Sequence, residues 1–308
     1  MTSARPLLSL ITPVYRGERF IESSIRTILI ELDTLAPVAG DRPPFELIVV
    51  VDGELDSSTS IAESIDDDRV KVISYPHNQG KGFALCAGMA QAGGALVGWL
   101  DSDLDIHPRV IVDASRKILD SEMDAAVGSK RHRDSQVDYP LLRRVYSWGF
   151  QHVSRVLLRV GVPDTQVGAK VFRQEVIITA LPLLRVKRYA FDLEVLAVAA
   201  EFGFDQVAEV PIALDYQFSG TGINLRAVWN MLQDTLAITY RIHSRWYVRQ
   251  YARMHRRRLA GDHAGLAPSD GPAVPTGNLE LYRTLTATDP AAPVPAPAAP
   301  GSNPLETS

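Results

Sequence analysis

Apolar runs alternate with segments of helical periodicity through the first half of the chain. LLSLITPVY (7–15) predicts a strand ending near Pro13, and GERFIESSIRTILIEL (17–32) sets Ile21, Ile25, Ile28 and Leu32 on one helical face. FELIVVVDG (45–53) is a β-branched run without polar alternation, as in a strand buried on both faces. A short helix at STSIAESI (58–65), a strand at VKVISY (70–75), a helix at GKGFALCAGMAQA (80–92) and a strand at ALVGWLD (95–101) follow. This β-α-β-α-β-α-β order predicts an α/β fold, a mostly parallel central sheet flanked by helices. Sites in such sheets lie at the carboxyl ends of the strands. Pro13 to Tyr15, Asp52 and Asp101 fall at such ends and are expected to share one crevice.

The second half is more mixed. RRVYSWGFQHVSRVLLRV (143–160) and FDLEVLAVAAEFG (191–203) predict helices, QVAEVPIAL (206–214) a strand, and 225–258 one long helix. In that last helix Leu225, Val228, Trp229, Leu232 and Leu236 form an apolar stripe. Arg241, Arg245, Arg249, Arg253 and Arg256 to Arg258 follow, with Trp246, Tyr247 and Tyr251 among them. Aromatics beside arginines suit an amphipathic helix lying in an anionic membrane interface. A helix packed on the domain with a solvated end is the alternative. Residues 259–308 are Pro/Ala/Gly-rich and are expected to be a disordered tail.

Composition narrows the class. With 46% hydrophobic and 22% charged residues and a formal charge of −4, the chain reads as an ordinary soluble globular protein. No aromatic-interleaved basic platform argues for nucleic acid. No uncharged apolar stretch approaches the roughly 18 residues a membrane-spanning helix needs. Cys86 is the single cysteine, which rules out an internal disulfide and a cysteine metal cage. Among Ala84, Leu85 and Ala87 it reads as a buried thiol, and the cytoplasm is the default compartment. The N-terminus lacks a basic region and cleavage site, so it reads as the first strand, not a signal peptide.

The chemistry centres on VGWLDSDLDIHP (97–108). Neither G-x-G-x-x-G after a strand nor G-x-x-x-x-G-K-[ST] is present. Asp101 and Asp103 are two apart, so in an extended segment both point the same way. Paired carboxylates suit a hard cation, Mg²⁺ or Mn²⁺, that takes further ligands from substrate phosphates. Asp105 either supplies a third ligand or caps the next helix, which Pro108 would help to start. His107, His132 and His152 show no metal-ligand spacing, and SKRHR (129–133) reads as a phosphate-facing basic cluster.

In order, the chain carries ITPVYRGERFIESSI, VVVDGELDSST, NQGKGFALCAGMAQAGGALVGWLDSDLDIHP, VGSKR, PDTQVGAKVFR and YAFDLEVLAVAAEFG. Over about residues 7–225 this ordered set resembles the family 2 glycosyltransferases of the GT-A fold, and more narrowly the dolichyl/polyprenyl-phosphate hexosyltransferases. The resemblance implies a catalytic domain over 1–224, a nucleotide-sugar donor and a polyprenyl phosphate acceptor, with inversion at the anomeric carbon. Pro13, Val14, Tyr15 and Glu18 match the first nucleotide-binding loop, Asp52 an aspartate near base and ribose, and Lys81 a donor-side lysine. Asp101, Ser102 and Asp103 match the D-x-D that holds the diphosphate through metal, with Asp105 beside it. Lys130 stands for an arginine, Arg143 and Ser147 match an acceptor-side R-x-x-x-S, and Asp164, Thr165 and Gln166 match DTQ. Lys170 and Arg173 follow, and Glu194 matches the carboxylate of FDLE. Relatives often carry membrane-spanning helices, so this chain is expected to be peripheral at the cytoplasmic membrane face or to rely on a membrane-protein partner.

The departures are Arg16 for Asn, Val51 and Glu54 in place of Asp and Ser, Gln217 for Arg, and Gly222 and Ile223 for Ser and Lys. A sugar hydroxyl as acceptor needs a general base, for which Asp164 or Asp192 would serve. A lipid phosphate, with a second pKa of about 6, is already anionic and needs positioning cations such as Lys130, Arg143 and Arg144. Three rivals remain: a hydroxyl-directed glycosyltransferase of polysaccharide synthesis, a non-catalytic nucleotide-sugar-binding scaffold, and a nucleotidyltransferase. The last would want a Gly-rich loop where TPVYRGE stands.

Overall fold

The computed structural model describes residues 5–130, 132–137, 167–186, 190–214 and 225–259. Strand β1 (Leu8–Val14) leads to α1 (Ile21–Asp33), the short α2 (Ala36–Ala39) and β2 (Phe45–Asp52). Then come α3 (Ser58–Glu63), β3 (Val70–Tyr75), α4 (Lys81–Gln91), β4 (Leu96–Leu100), α5 (Arg109–Asp120) and β5 (Ala125–Ser129). After β6 (Gln136–Val137) and β7 (Ala169–Arg173) the chain forms α6 (Gln174–Ala180), a 3₁₀ turn at Leu181–Leu183, α7 (Phe191–Glu201), β8 (Val207–Pro211) and β9 (Ala213–Leu214). Two helices end the described chain, α8 (Leu225–His243) and α9 (Trp246–Leu259).

Seven strands form one sheet in the order β3-β2-β1-β4-β7-β5-β8, and β6 pairs with β9 separately. β1 runs parallel to β2 and β4, whereas β7 is antiparallel to both β4 and β5. The mostly parallel sheet thus holds an antiparallel strand that the sequence reading misses. AKVFR carries a lysine at a position that proves fully buried, so its pattern does not read as a core strand.

The sheet is covered on both sides, as the unbroken apolar runs predict. In β2, Leu47, Val49 and Val51 face one cluster with α1 and α5, while Ile48 and Val50 face a second with α4 and α7. The α1 stripe of Ile21, Ile25, Ile28 and Leu32 is buried as expected.

Two boundaries differ with physical cause. The predicted strand 95–101 stops at Leu100, because Asp101 to Leu104 close a turn with Leu104 at φ +54°. The single helix expected over 225–258 is two, broken at Ser244–Arg245, where Arg245 takes φ +53°. That break turns Tyr247 inward. It is fully buried, and Trp246, Tyr251 and Met254 pack on the same core. Of the α9 aromatics expected at a membrane interface, Tyr247 is therefore a core residue, and Trp246 and Tyr251, partly buried, pack against the core. The helix expected at 143–160 and the tail from 260 lie outside the described residues.

Glu194 is the pin of this arrangement. Its fully buried carboxylate accepts from the Arg185 and Val186 amides at 2.8 and 2.7 Å, from Tyr247 Oη at 2.6 Å and from Arg241 Nη1 at 3.1 Å. One side chain thus ties the loop before α7 to both C-terminal helices, and burial beside it pushes the Tyr247 pKa up. Removing the carboxylate strands the half-buried Arg241 guanidinium and three further donors. Glu194→Ala is expected to lose about 3–5 kcal/mol of unfolding free energy in urea titration; a loss under ~1 kcal/mol would refute the pin.

Candidate active site

The carboxyl ends of β1, β2 and β4 open on a cleft of about 550 Å³, lined among others by Pro13, Val14, Tyr15, Asp52, Lys81 and Asp101 to Asp103. The crevice expected from strand order is therefore present. Glu18 is near it but turned to the neighbouring loop, its Oε2 3.4 Å from the Ser57 amide while its own amide donates to Asp56. Arg16, which stands where the resembled family has Asn, takes φ +53°, a conformation that Asn tolerates better.

Asp52 is buried, and its two oxygens accept four hydrogen bonds. Tyr75 Oη lies at 2.9 Å, Asn78 Nδ2 at 3.0 Å, and the Gln79 and Gly80 amides at 2.7 and 2.9 Å. Its carboxylate organises the loop that carries Lys81. Gly53, at φ +95°, lets that loop approach: a Cβ there would meet the Asn78 amide at 2.8 Å. Phe20, Asn78 and Gly80 also line the cleft, and the sequence reading did not single them out. The NQGKG segment holds the relevant signal, since a glycine before a lysine at a helix start brings backbone close to a ligand.

Asp101 Oδ1 pairs with Lys81 Nζ at 2.5 Å, and Asp103 is exposed to the cleft. Although they sit on a turn and not on extended chain, both still line it. The Asp103 pKa is raised, by the protein crowded around it and then by the like charges of Asp101 and Asp105. At the start of α5 the Arg109 amide donates to His107 Nδ1 at 3.3 Å, and Asp105 lies next to the pair, outside the cleft lining. Among the described residues no three His, Cys, Asp or Glu side chains are gathered to hold an ion by protein alone. Two carboxylates nevertheless fit Mg²⁺ or Mn²⁺, which takes one or two from protein and completes its shell with water and phosphate. The mutual repulsion at Asp103 is what such a cation would relieve.

Beneath the cleft runs a buried ion pair. Lys170, fully buried on β7, donates to Asp192 Oδ1 at 2.9 Å and to the Val167 carbonyl. Trp99 Nε1 donates to the same Asp192 oxygen at 3.0 Å, and the Trp99 ring stacks on Phe172 with centroids 5.1 Å apart. Burial opposes the charge of Asp192, but Lys170 and Lys81 outweigh it and hold its pKa below the usual carboxylate value. Lys81 is likewise opposed by burial, yet Asp101, Asp192 and Asp103 together raise its pKa. Charges therefore alternate from core to cleft: Lys170, Asp192, Lys81, Asp101.

Of the residues expected in the site, the structure brings Pro13, Val14, Tyr15, Asp52, Lys81, Asp101, Ser102 and Asp103 to one cleft. It does not bring Glu194, which is committed to the pin described above. Lys130 follows directly on β5. Arg143, Arg144, Ser147, Asp164, Thr165 and Gln166 lie outside the described residues.

Paired acidic groups at the exit of β4, in a mostly parallel sheet, mark this cleft as the candidate site. Residues 9–180 match the family described as Glycosyl transferase family 2, and the chain belongs to it. It is 30% identical over 213 residues to glycosyltransferase AglD of Haloferax volcanii, covering 68% of this chain and 33% of that protein. The chain thus spans about a third of that relative's length. It is 28% identical over 269 residues to the dolichyl-phosphate beta-glucosyltransferase of Homo sapiens, covering 80% of each. Among solved structures, glucosyl-3-phosphoglycerate synthase from Mycobacterium tuberculosis with Mn²⁺, UDP and glucosyl-3-phosphoglycerate superposes with a TM-score of 0.53. Identity there is 20%, over 76% of this chain and 78% of that one. The shared fold is GT-A.

The depressed Asp192 pKa fixes the sign of a pH effect. A carboxylate with a lowered folded pKa stabilises fully above its unfolded value, and that contribution fades as pH falls through the folded value. The unfolding free-energy difference between wild type and Asp192→Asn is therefore expected to be constant from about pH 8 to 5 and to shrink below about pH 4. Urea titrations across that range check it; a difference that shrinks already between pH 7 and 5 would contradict the assignment.

Proposed function

We propose that this chain transfers a hexose from a nucleoside-diphosphate sugar to a polyprenyl phosphate at a membrane surface, with inversion at the anomeric carbon. The observation that carries this reading is the commitment of the described carboxylates around the cleft. Asp52 already accepts four hydrogen bonds, Asp192 is held by Lys170 and Trp99, and Asp101 faces Lys81. Asp103, with Asp101, is placed for a cation. A hydroxyl acceptor would require a free, basic carboxylate; a phosphate monoester, with a second pKa of about 6, does not. The names of the relatives, dolichyl-phosphate beta-glucosyltransferases among them, support the same choice.

On this reading an acceptor phosphate oxygen attacks the anomeric carbon as the bond to the donor diphosphate breaks, and no proton moves. Asp101 and Asp103 would hold the divalent cation, Mg²⁺ or Mn²⁺, which when bound supplies Lewis-acid neutralisation of the leaving diphosphate. Lys81 adds positive charge at the same place. Pro13 to Tyr15 form the wall by the nucleoside. Lys130, with Arg143 and Ser147, is assigned to the acceptor phosphate; Asp164 and Gln166 remain assigned to the site by their motif.

The membrane contact is assigned to α8. Trp229, Leu236 and Tyr240, spaced seven and four apart, share one face and are 59%, 52% and 73% exposed. Arg245, Arg249 and Arg253 are exposed beyond them. Apolar and aromatic groups beside arginines suit an anionic leaflet, here the cytoplasmic one. No described helix is long and apolar enough to cross a membrane.

The test is transfer of radiolabel from UDP- and GDP-hexoses, UDP-glucose first, to polyprenyl phosphate with Mn²⁺ or Mg²⁺. Label is expected in the lipid fraction, with chelator or Asp103→Ala lowering the rate about 10²-fold or more. Label entering only a hydroxyl acceptor would overturn the reading. With acceptor embedded in anionic vesicles, Trp229→Glu is expected to slow transfer several-fold while leaving transfer to detergent-dispersed acceptor intact; equal effects in both would refute the α8 contact.

A further inference from the structure

Lys81 occupies the position that a cation on Asp101 would want. Its ammonium lies 2.5 Å from Asp101 Oδ1, and two cations cannot share that lone pair without mutual repulsion. One of the two partners has to give way when the site fills, and the surroundings say which. Asp101 is seated against backbone: its amide donates to the Gly168 carbonyl at 3.2 Å, and a Cβ on Gly168 would come within 2.1 Å of Asp101 Oδ2. The neighbouring Val167 carbonyl is held in turn by buried Lys170. Lys81, which with Asp101 borders the open cleft, is the first residue of α4 and follows Gly80 at φ +96°. Its flexible four-carbon stem has more rotamers to move through than the short aspartate side chain, whose backbone is held at Gly168.

Resting on the nucleotide-sugar reading above, we propose that Lys81 is the resident counter-ion of Asp101 and competes with the divalent cation for it. When cation and donor arrive together, the ammonium passes to the diphosphate. With Lys81 in place, Asp101 and Asp103 carry a single net negative charge between them. A dication entering alone meets an ammonium already at its site and gains little. A nucleoside diphosphate brings the anionic oxygens that draw the ammonium away, so cation and donor bind cooperatively. Lys81 thereby enforces joint loading, a positioning role beyond its attraction for phosphate.

The distinguishing experiment is a Mn²⁺ titration followed by the electron paramagnetic resonance signal of free Mn²⁺, on wild type and Lys81→Met, with and without UDP or GDP. Lys81→Met is expected to bind Mn²⁺ alone about tenfold or more tightly than wild type. It is also expected to show a smaller gain in Mn²⁺ affinity on adding nucleotide. Lys81→Gln, which likewise removes the charge, is expected to match it and serves if thermal melting shows the Met variant unfolded. A phosphate-binding lysine with no competing role would leave Mn²⁺ affinity unchanged and weaken only the nucleotide. If the variants bind Mn²⁺ alone no more tightly while wild type binds Mn²⁺ with nucleotide, the competition is overturned and the nucleotide-sugar reading stands. If wild type binds neither nucleotide with Mn²⁺, that reading falls and the inference with it.

Discussion

A carboxylate shut away from water must be met by positive charge, and the interior beneath this cleft is arranged around that requirement at Asp192. An uncompensated buried charge costs several kcal/mol even after relaxation. Lys170 answers it from β7 and Trp99 from β4, so the pair also joins two neighbouring strands of the sheet. Lys81 feels the same carboxylate from the cleft side. Lys81 in the cleft therefore lies in the field of charges laid down inside the fold. A polar group in the core here acts less as a source of stability than as a fixed reference for a functional one.

Two carboxylates that look alike in sequence end in opposite circumstances. Glu194 and Asp103 both belong to the motifs on which the family resemblance was read. Glu194 is enclosed by four donors and joins three pieces of backbone. Asp103 faces the cleft among like charges and has its proton affinity raised. The first arrangement is saturated and rigid, whereas the second is held open by the fold at a cost in repulsion. A motif match marks both positions, and their surroundings set them apart: one saturated with donors, the other open to the cleft.

Much of the fold was legible before the structure. β-branched runs without alternation marked the central parallel strands, and Pro13, Asp52 and Asp101 at their ends marked the crevice. What escaped the reading has a common cause in backbone conformation and buried charge. Leu104 and Arg245 adopt positive φ, yet neither is a residue that advertises it, so the turn after β4 and the break before α9 were invisible. β7 was hidden because its lysine, Lys170, is neutralised by a partner 22 residues further on. Gly168 mattered through contact with a side chain far away in sequence, which no local pattern encodes. The acceptor-side motif from Arg143 to Gln166 lies outside the described residues, and the lipid-phosphate assignment leans on the cleft and the relatives instead.

The antiparallel strand has a further consequence, for the order in which the chain can be completed. β4 finds its second neighbour in β7, and β5 reaches the rest of the sheet only through that same strand. During synthesis β4 therefore emerges about seventy residues before its partner, leaving its unpaired edge open to other chains. That edge is β4, the strand that leads into Asp101 and Asp103. Whatever shields the growing chain over this interval, whether fast collapse or a chaperone, guards the future cleft until Arg173 has left the ribosome and the sheet can close.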